Sequence, residues 1–347
     1  MDFTDLRASA RAAMDELAFA YYQATAGPPE QADRDAEAWQ RFDLIPRVLR
    51  GTGAPDTSVR LDERAHRGGA TLRTPVVVAA SAGHGMAHPD GEIATGLGAG
   101  DAGALMVYSN SATVEVGAFG AAVSGPWWAQ VYLQQDRGRS NDYLDRAVAA
   151  GAGAIVLTVD LGGPAGSASF RRSVQSRLTA VPGNFPGLSW QQMSATYVAA
   201  LTLDDVTSVV EHCGIPVHVK GILHPADAAR VIGAGASGII VSNHGRRQVE
   251  GVLPTADALP AVLDAVAGRV PVMVDGGVRS GIDVLRALAL GAVTVGVGRP
   301  VLWGLAASGR DGVAGVLSGL TAELVQAMAA AGAATPADLD RSMIRRR

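Results

Sequence analysis

The chain has little cysteine, few aromatic residues and no excess of positive charge. Of 347 residues one is cysteine, Cys213, so no internal disulfide can form, and a reducing cytoplasm is the expected setting. The first residues, MDFTDLRASAR, lack the apolar stretch behind a basic start that marks an export signal. A formal net charge of -4 gives no general attraction to phosphate backbones or anionic lipid, and no segment reads as both long and apolar enough to span a bilayer. Nucleic acid and membrane are therefore not expected as partners, and no metal site is expected. What remains is 48% hydrophobic residues against 18% charged and 5% aromatic, with 43 glycines, which describes a large core of small aliphatic side chains and many tight turns. The length allows two domains, but α/β barrels commonly run past 250 residues as one.

From residue 74 onward, short β-branched runs alternate with alanine-rich helical stretches, the signature of repeated βα units around a parallel sheet. The runs are TPVVVAAS (74–81), ALMVYS (104–109), PWWAQVYL (126–133), GAIVLTVD (153–160), PVHVKGI (216–222), SGIIVSNH (237–244), PVMVDGG (271–277) and AVTVGVGRP (292–300). Eight strands, each followed by a helix, predict a closed (β/α)8 TIM barrel spanning about 74–310. HPADAARVIGAG starts with proline in its first turn and ends at glycine, and SGIDVLRALALG runs from a serine cap to a glycine stop. Residues 1–73 read as an N-terminal helical cap that includes DLRASARAAMDELAFAYYQATAG and the connector IPRVLRG. Residues 161–202, rich in Gly, Ser, Pro and Gln, read as a long loop or lid after strand four, and 311–347 as C-terminal helices. The whole reads as a single domain.

Barrel enzymes carry their chemistry on the loops that follow the strands. In chain order these ends offer Ser81; Ser109; Gln130 and Tyr132; Thr158 and Asp160; Lys220; Ser242, His244 and Arg247; Asp275 and Arg279; and Gly298 with Arg299. Each has an ordinary reading alone: Ser81 as a helix cap, Gln130 and Tyr132 as a polar core layer, Asp160 as the start of a turn. Together they put a polar or charged group at the end of every strand. The last two ends, VDGGVRSG and VGVGRP, supply glycine turns that lead into helix starts beside Arg279 and Arg299, an arrangement suited to a phosphoryl group. The stretch SNHGRRQVEG (242–251) ends a buried run with an imidazole and two fixed cations.

The motifs VKGI, SNHGRRQ, VDGGVRSGIDVLRALALGA and VGRPVLWGLA resemble the flavin mononucleotide dependent α-hydroxy acid oxidases and dehydrogenases, which include glycolate oxidase, lactate oxidase and mandelate-type enzymes. The likeness extends to LAFAYYQATAG, IPRVLRG, MAHPDGE (86–92), YSNSATVEV (108–116), WAQVYLQQDR (128–137) and LTVD (157–160). The resemblance implies FMN as cofactor. Ser81, Ser109, Gln130, Thr158 and Ser242 then stand around the flavin ring, Lys220 near its N1 and C2 carbonyl, and Asp275, Gly277, Arg279, Gly298 and Arg299 at the ribityl phosphate. His244 matches the family's base, with Asp160 steadying the imidazolium, and Arg247 the arginine that clamps the substrate carboxylate. Tyr21 and Tyr132 occupy the places of two substrate-binding tyrosines. The implied reaction is oxidation of a small 2-hydroxy acid, aromatic by weak preference, to the 2-oxo acid with flavin N5 as electron acceptor. Oxygen or another carrier then reoxidises the flavin. A homo-oligomer, a tetramer by likeness, is the implied assembly.

Two places depart from the family pattern. Arg246 stands where a glycine or alanine is usual, and it either turns outward to solvent or adds a second anion contact. After LTVD, the segment LGGPAGSASFRR puts Ser167 where a clamp arginine is expected, and Arg171 or Arg172 fills that role if the loop holds a small insertion. Other readings stay open: the same fold and flavin with a nonstandard substrate such as an amine or modified peptide, a monooxygenase that decarboxylates its product, or a flavin-binding protein without turnover in which Arg246 blocks the pocket. Of the adjacent Trp127 and Trp128, an alternating strand sends one inward and one outward.

Overall fold

The protein is described by a computed structural model covering residues 3–28, 33–61, 71–161 and 180–347. Eight parallel strands close into a barrel: β1 (Val76–Val78), β2 (Met106–Ser109), β3 (Trp127–Val131), β4 (Ile155–Thr158), β5 (Val217–Ile222), β6 (Gly238–Val241), β7 (Val272–Asp275) and β8 (Val295–Val297). Sequence neighbours pair with each other, and β8 closes on β1 through Val295–Val76, Gly296–Val77 and Val297–Val78. Each strand lies inside its predicted run and is shorter than it, because the polar ends of the runs leave the ladder to form the mouth.

Successive side chains in a strand face opposite sides, and register partners in adjacent strands face the same side. Val107 is paired with Trp128, Val156 with His218, and Ile240 with Met273. With Val77, Leu61 and Leu72, the apolar members of this set form a separate buried cluster inside the barrel. Trp128 stacks there on His218 with ring centroids 4.3 Å apart. Trp127 faces the other way, edge-on to Phe119 and Tyr108 in the larger core between strands and helices, so the two tryptophans divide as the alternation predicts. Two residues further along, the inward set is Ser109, Gln130, Thr158, Lys220, Ser242 and Asp275, a polar layer above an apolar plug.

The N-terminal cap holds two helices where the sequence suggests one continuous stretch. They are α1 (Phe3–Ala13) and α2 (Glu16–Gln23), separated because the Asp15 side chain accepts from the backbone N–H of Leu17 (2.8 Å) and Ala18 (3.4 Å) and so caps a new helix. A third, α3 (Arg34–Trp39), leads into the strand Phe42–Leu44, which pairs antiparallel with Ile344–Arg346 and ties cap to C-terminus. Residues 162–179 of the expected lid, including Ser167, Arg171 and Arg172, lie outside the described residues. From 180 onward that interval is not simply loop: it contains the helix Trp190–Ala195, opened by a Ser189/Gln192 capping box, and Tyr197 bridges to Gln134.

The helical span after β8, Arg299–Ala331, is two legs joined by a kink at Ser308 and Gly309 (φ +55°), next to the boundary expected at 310. By length and composition the span is also apolar enough to cross a membrane, where the sequence reading found no such segment. Its Val301, Leu305, Val313, Leu317, Leu320 and Leu324 are buried, and it packs against α1 and the helices Gly91–Ala102 and Gly281–Leu290. The legs cross closely at glycine: a Cβ on Gly312 would stand 1.9 Å from the Gly304 carbonyl oxygen, whereas one on Gly315 would meet nothing within 4 Å. Gly312→Ala is therefore expected to lower the urea unfolding midpoint, at a cost of about 1–3 kcal/mol. Gly315→Ala is expected to raise it, with a stability gain of roughly 0.5–1 kcal/mol from helix propensity; equal midpoints for the two variants would contradict this packing.

Candidate active site

The inward polar layer is satisfied largely by its own members, as buried polar groups require. Ser109 Oγ donates to Gln130 Oε1 (3.0 Å), and Gln130 Nε2 donates to Thr158 Oγ1 (3.0 Å). Lys220 Nζ donates to Ser242 Oγ at 2.6 Å and lies 3.2 Å from Asp275 Oδ2. Burial alone would lower the lysine's pKa, but Asp275 and Asp160 outweigh it and hold the ammonium above its ordinary range, so it is a fixed cation. Above this layer opens a cavity of about 890 Å³.

His244 stands at the cavity wall, directly after β6. Its Nδ1 is 2.9 Å from Asp160 Oδ1, its Nε2 is 3.2 Å from Tyr132 Oη, and its backbone N–H donates to Ser242 Oγ (3.1 Å). Burial pushes the Asp160 carboxyl up, but His244 and Lys220 pull harder and keep it below the usual carboxylate range. An ionised Asp160 accepts from Nδ1–H, which leaves Nε2 as the lone-pair nitrogen on the Tyr132 side. Asp160 approaches this closely because residue 221 is glycine: at φ +107° in the β5 bulge, a Cβ there would stand 2.6 Å from Asp160 Cβ and Cγ.

Three arginines also converge on this cavity. Arg247 Nη1 donates to the carbonyls of Tyr21 (2.8 Å), Tyr22 (3.1 Å) and Ala24 (3.0 Å), and its guanidinium lies 4.9 Å from the Tyr21 ring centre. Arg299 Nε donates to Tyr22 O and Nη2 to Gly245 O, while Arg279 lies over Trp303. Burial, and then repulsion from Arg247 and Arg279, pushes Arg299 down to about 9, and burial also lowers Arg279. Such a buried cationic cluster favours a dianion. Gly276 and Gly277, both at positive φ, bring bare backbone to the same wall, and Gly298 precedes the first turn of the long helix. A phosphoryl group fits these donors, and a planar ring fits the polar layer with its fixed lysine.

Most residues singled out from the sequence reach this cavity. Tyr21, Ser81, Ser109, Tyr132, Thr158 and Lys220 line it, as do His244, Arg247, Asp275, Gly277, Arg279, Gly298 and Arg299. Gln130, Asp160 and Ser242 are not among the lining residues but hydrogen-bond to ones that are: Ser109 and Thr158, His244, and Lys220 respectively. Arg246 follows neither of its two readings: it is 3% exposed, does not line the cavity, and donates through Nη1 to Val252 O (2.9 Å). It therefore does not block the pocket. Sequence reasoning missed Tyr22, Trp190, Met193 and Tyr197, which also line the cavity. The last three lie in an interval without periodicity, where an aromatic carries no local signal. It also missed why MAHPDGE matters: buried Glu92 accepts from the His84, Thr113 and Val114 backbone N–H groups and the Thr113 hydroxyl, binding the loops after β1 and β2 together.

Comparison with known proteins agrees with this geometry. L-lactate oxidase of Nostoc sp. is 36% identical over 96% of this chain and 95% of its own, and glycolate oxidase 1 of Oryza sativa is 38% identical over 98% and 94%. Among solved structures, mandelate oxidase superposes with a TM-score of 0.88 at 35% identity, covering 99% of this chain and 97% of that one. A lactate oxidase (putative) of Pediococcus acidilactici gives 0.89 at 31% identity, covering 100% and 95%. The profile of the FMN-dependent dehydrogenases matches residues 10–346, and the chain belongs to that family.

Proposed function

We propose that the chain oxidises a small 2-hydroxy acid to the 2-oxo acid with His244 as the base. FMN, when bound, supplies the two-electron acceptor and passes the electrons to oxygen or another carrier. The observation that carries the reading is the Asp160–His244–Tyr132 relay at the cavity wall. Asp160 fixes the tautomer, so Nε2 takes the substrate proton, and the resulting imidazolium gains a charge-assisted bond to an anion already in place. Lys220 and the Ser109–Gln130–Thr158 chain hold the flavin ring, and Arg279, Arg299, Gly277 and Gly298 its phosphate. Arg247 and Tyr21 bind the substrate carboxylate, with Tyr132 on the hydroxyl side.

The segment 190–198 gives the cavity an apolar wall of Trp190, Met193, Tyr197 and Val198, which suits an aromatic acid of the mandelate type. On this reading kcat/KM for mandelate exceeds that for glycolate; a preference for glycolate would contradict it. Because oxidation and oxidative decarboxylation differ in product, the 2-oxo acid should accumulate without carbon dioxide release.

His244→Gln should retain flavin and lose about 10²- to 10⁴-fold in kcat/KM, measured by steady-state turnover; near wild-type activity would remove His244 from the role. The pH sign follows from the carboxyl that partners it. Asp160 has a lowered folded pKa, so its contribution is present at neutral pH and lost only as pH falls through that low value. Asp160 therefore remains the anion that orients His244 across the ordinary carboxylate range, and an acid limb of kcat/KM that titrates within that range would contradict this assignment.

A further inference from the structure

The turn that carries His244 passes through three successive left-handed residues: His244, Gly245 and Arg246 have φ of 58°, 61° and 60°. Glycine adopts this conformation freely, but histidine and arginine do so only where surroundings impose it. Here the surroundings are the N-terminal cap. Arg246 O accepts from Ala26 N–H (2.7 Å), and Gly245 O from Arg299. Asp35, on α3, is buried with its backbone so near β7's loop that a Cβ on Gly277 would lie 2.3 Å from its carbonyl carbon and oxygen. Both oxygens of its carboxylate accept from Asn243 Nδ2 (2.9 and 3.0 Å), and Oδ1 stands 3.8 Å from Arg246 Nη1. One carboxylate thus hydrogen-bonds the residue before His244 and forms a longer ion pair with Arg246, two residues after it.

We propose that Asp35 and Arg246 form a positioning pair that clamps the base-bearing turn to the cap, and that Arg246 is not a contact for a substrate anion. This rests on the reading of His244 as the base. Burial drives the Asp35 carboxyl up, and Asn243 and then Arg246 oppose that shift. Burial still outweighs them, so the cation relieves part of the cost of the desolvated carboxylate, and the carboxylate holds the cation away from the cavity. Removing one member takes from the other its opposite charge beside His244, whereas removing both returns the turn to neutral groups, with glycine able to take the left-handed conformation at 246.

Holoenzymes of Arg246→Gly, Asp35→Asn and the double variant test this by two readouts. The first is kcat and KM on a monocarboxylic and a dicarboxylic hydroxy acid; the second is amide hydrogen exchange of segments 21–27 and 243–249 without substrate. Arg246→Gly should lower kcat on the order of tenfold to a hundredfold, by the same factor on both acids, with little change in KM and faster exchange in both segments. The double variant should recover most of both effects. Wild-type kcat and exchange in Arg246→Gly, or a double variant no better than the single, would overturn the pair. A KM rise confined to the dicarboxylic acid would make Arg246 a substrate contact and overturn the proposal. If the wild type turned over no hydroxy acid, the functional reading would fail while the exchange result would still decide the clamp.

Discussion

Eight strands with a two-residue period, closed on themselves, constrain everything at the mouth of this barrel. Closure forces each strand to send alternate residues inward, and register forces inward residues of neighbouring strands to the same level. At the lower level those positions hold Val77, Val107, Trp128, Val156, Ile240 and Met273, which exclude water. At the upper level they hold Ser109, Gln130, Thr158, Lys220, Ser242 and Asp275, which must satisfy one another or a ligand. The apolar plug makes the polar layer costly to leave unpaired, and that cost fixes side chains such as Gln130 and Lys220 in single arrangements.

Electrostatics then divide the cavity. At one end Asp160 and Asp275 offset the charge of buried Lys220, and Asp160 also orients His244. Elsewhere on the cavity wall Arg247, Arg279 and Arg299 gather, and burial first, then repulsion from Arg247 and Arg279, holds Arg299 below the ordinary guanidinium range. A molecule with a dianionic tail and a planar polar ring resolves both conditions at once. The cap matters as much as the barrel, since α2 supplies Tyr21, Tyr22 and the carbonyls that hold Arg247, and α3 supplies Asp35.

The strands, their order and the ring of polar ends were legible in the sequence because each is written locally, as a β-branched run followed by its loop. His244 and Asp160 were joined through the family resemblance alone, since nothing within either motif says that they meet. Gly221 shows the same limit: it reads as part of a strand, and only the approach of Asp160 explains it. Arg246 was misplaced because sequence offers solvent or cavity as destinations for a loop arginine, while its actual neighbours, Asp35 and Val252, come from a distant helix and a turn six residues on. Tyr197 and Trp190 reach the cavity through tertiary packing of an aperiodic segment. The helix break at Asp15 was written in the sequence as a cap, and was hidden by apolar spacing that continues across it.

The most direct measurement is the visible flavin band of the purified protein, followed as a 2-hydroxy acid is added with oxygen excluded. The account predicts that the protein carries FMN and that the band bleaches within the turnover time. A colourless protein that takes up no FMN, or a bound flavin whose band stays unchanged across a panel of such acids, would contradict it.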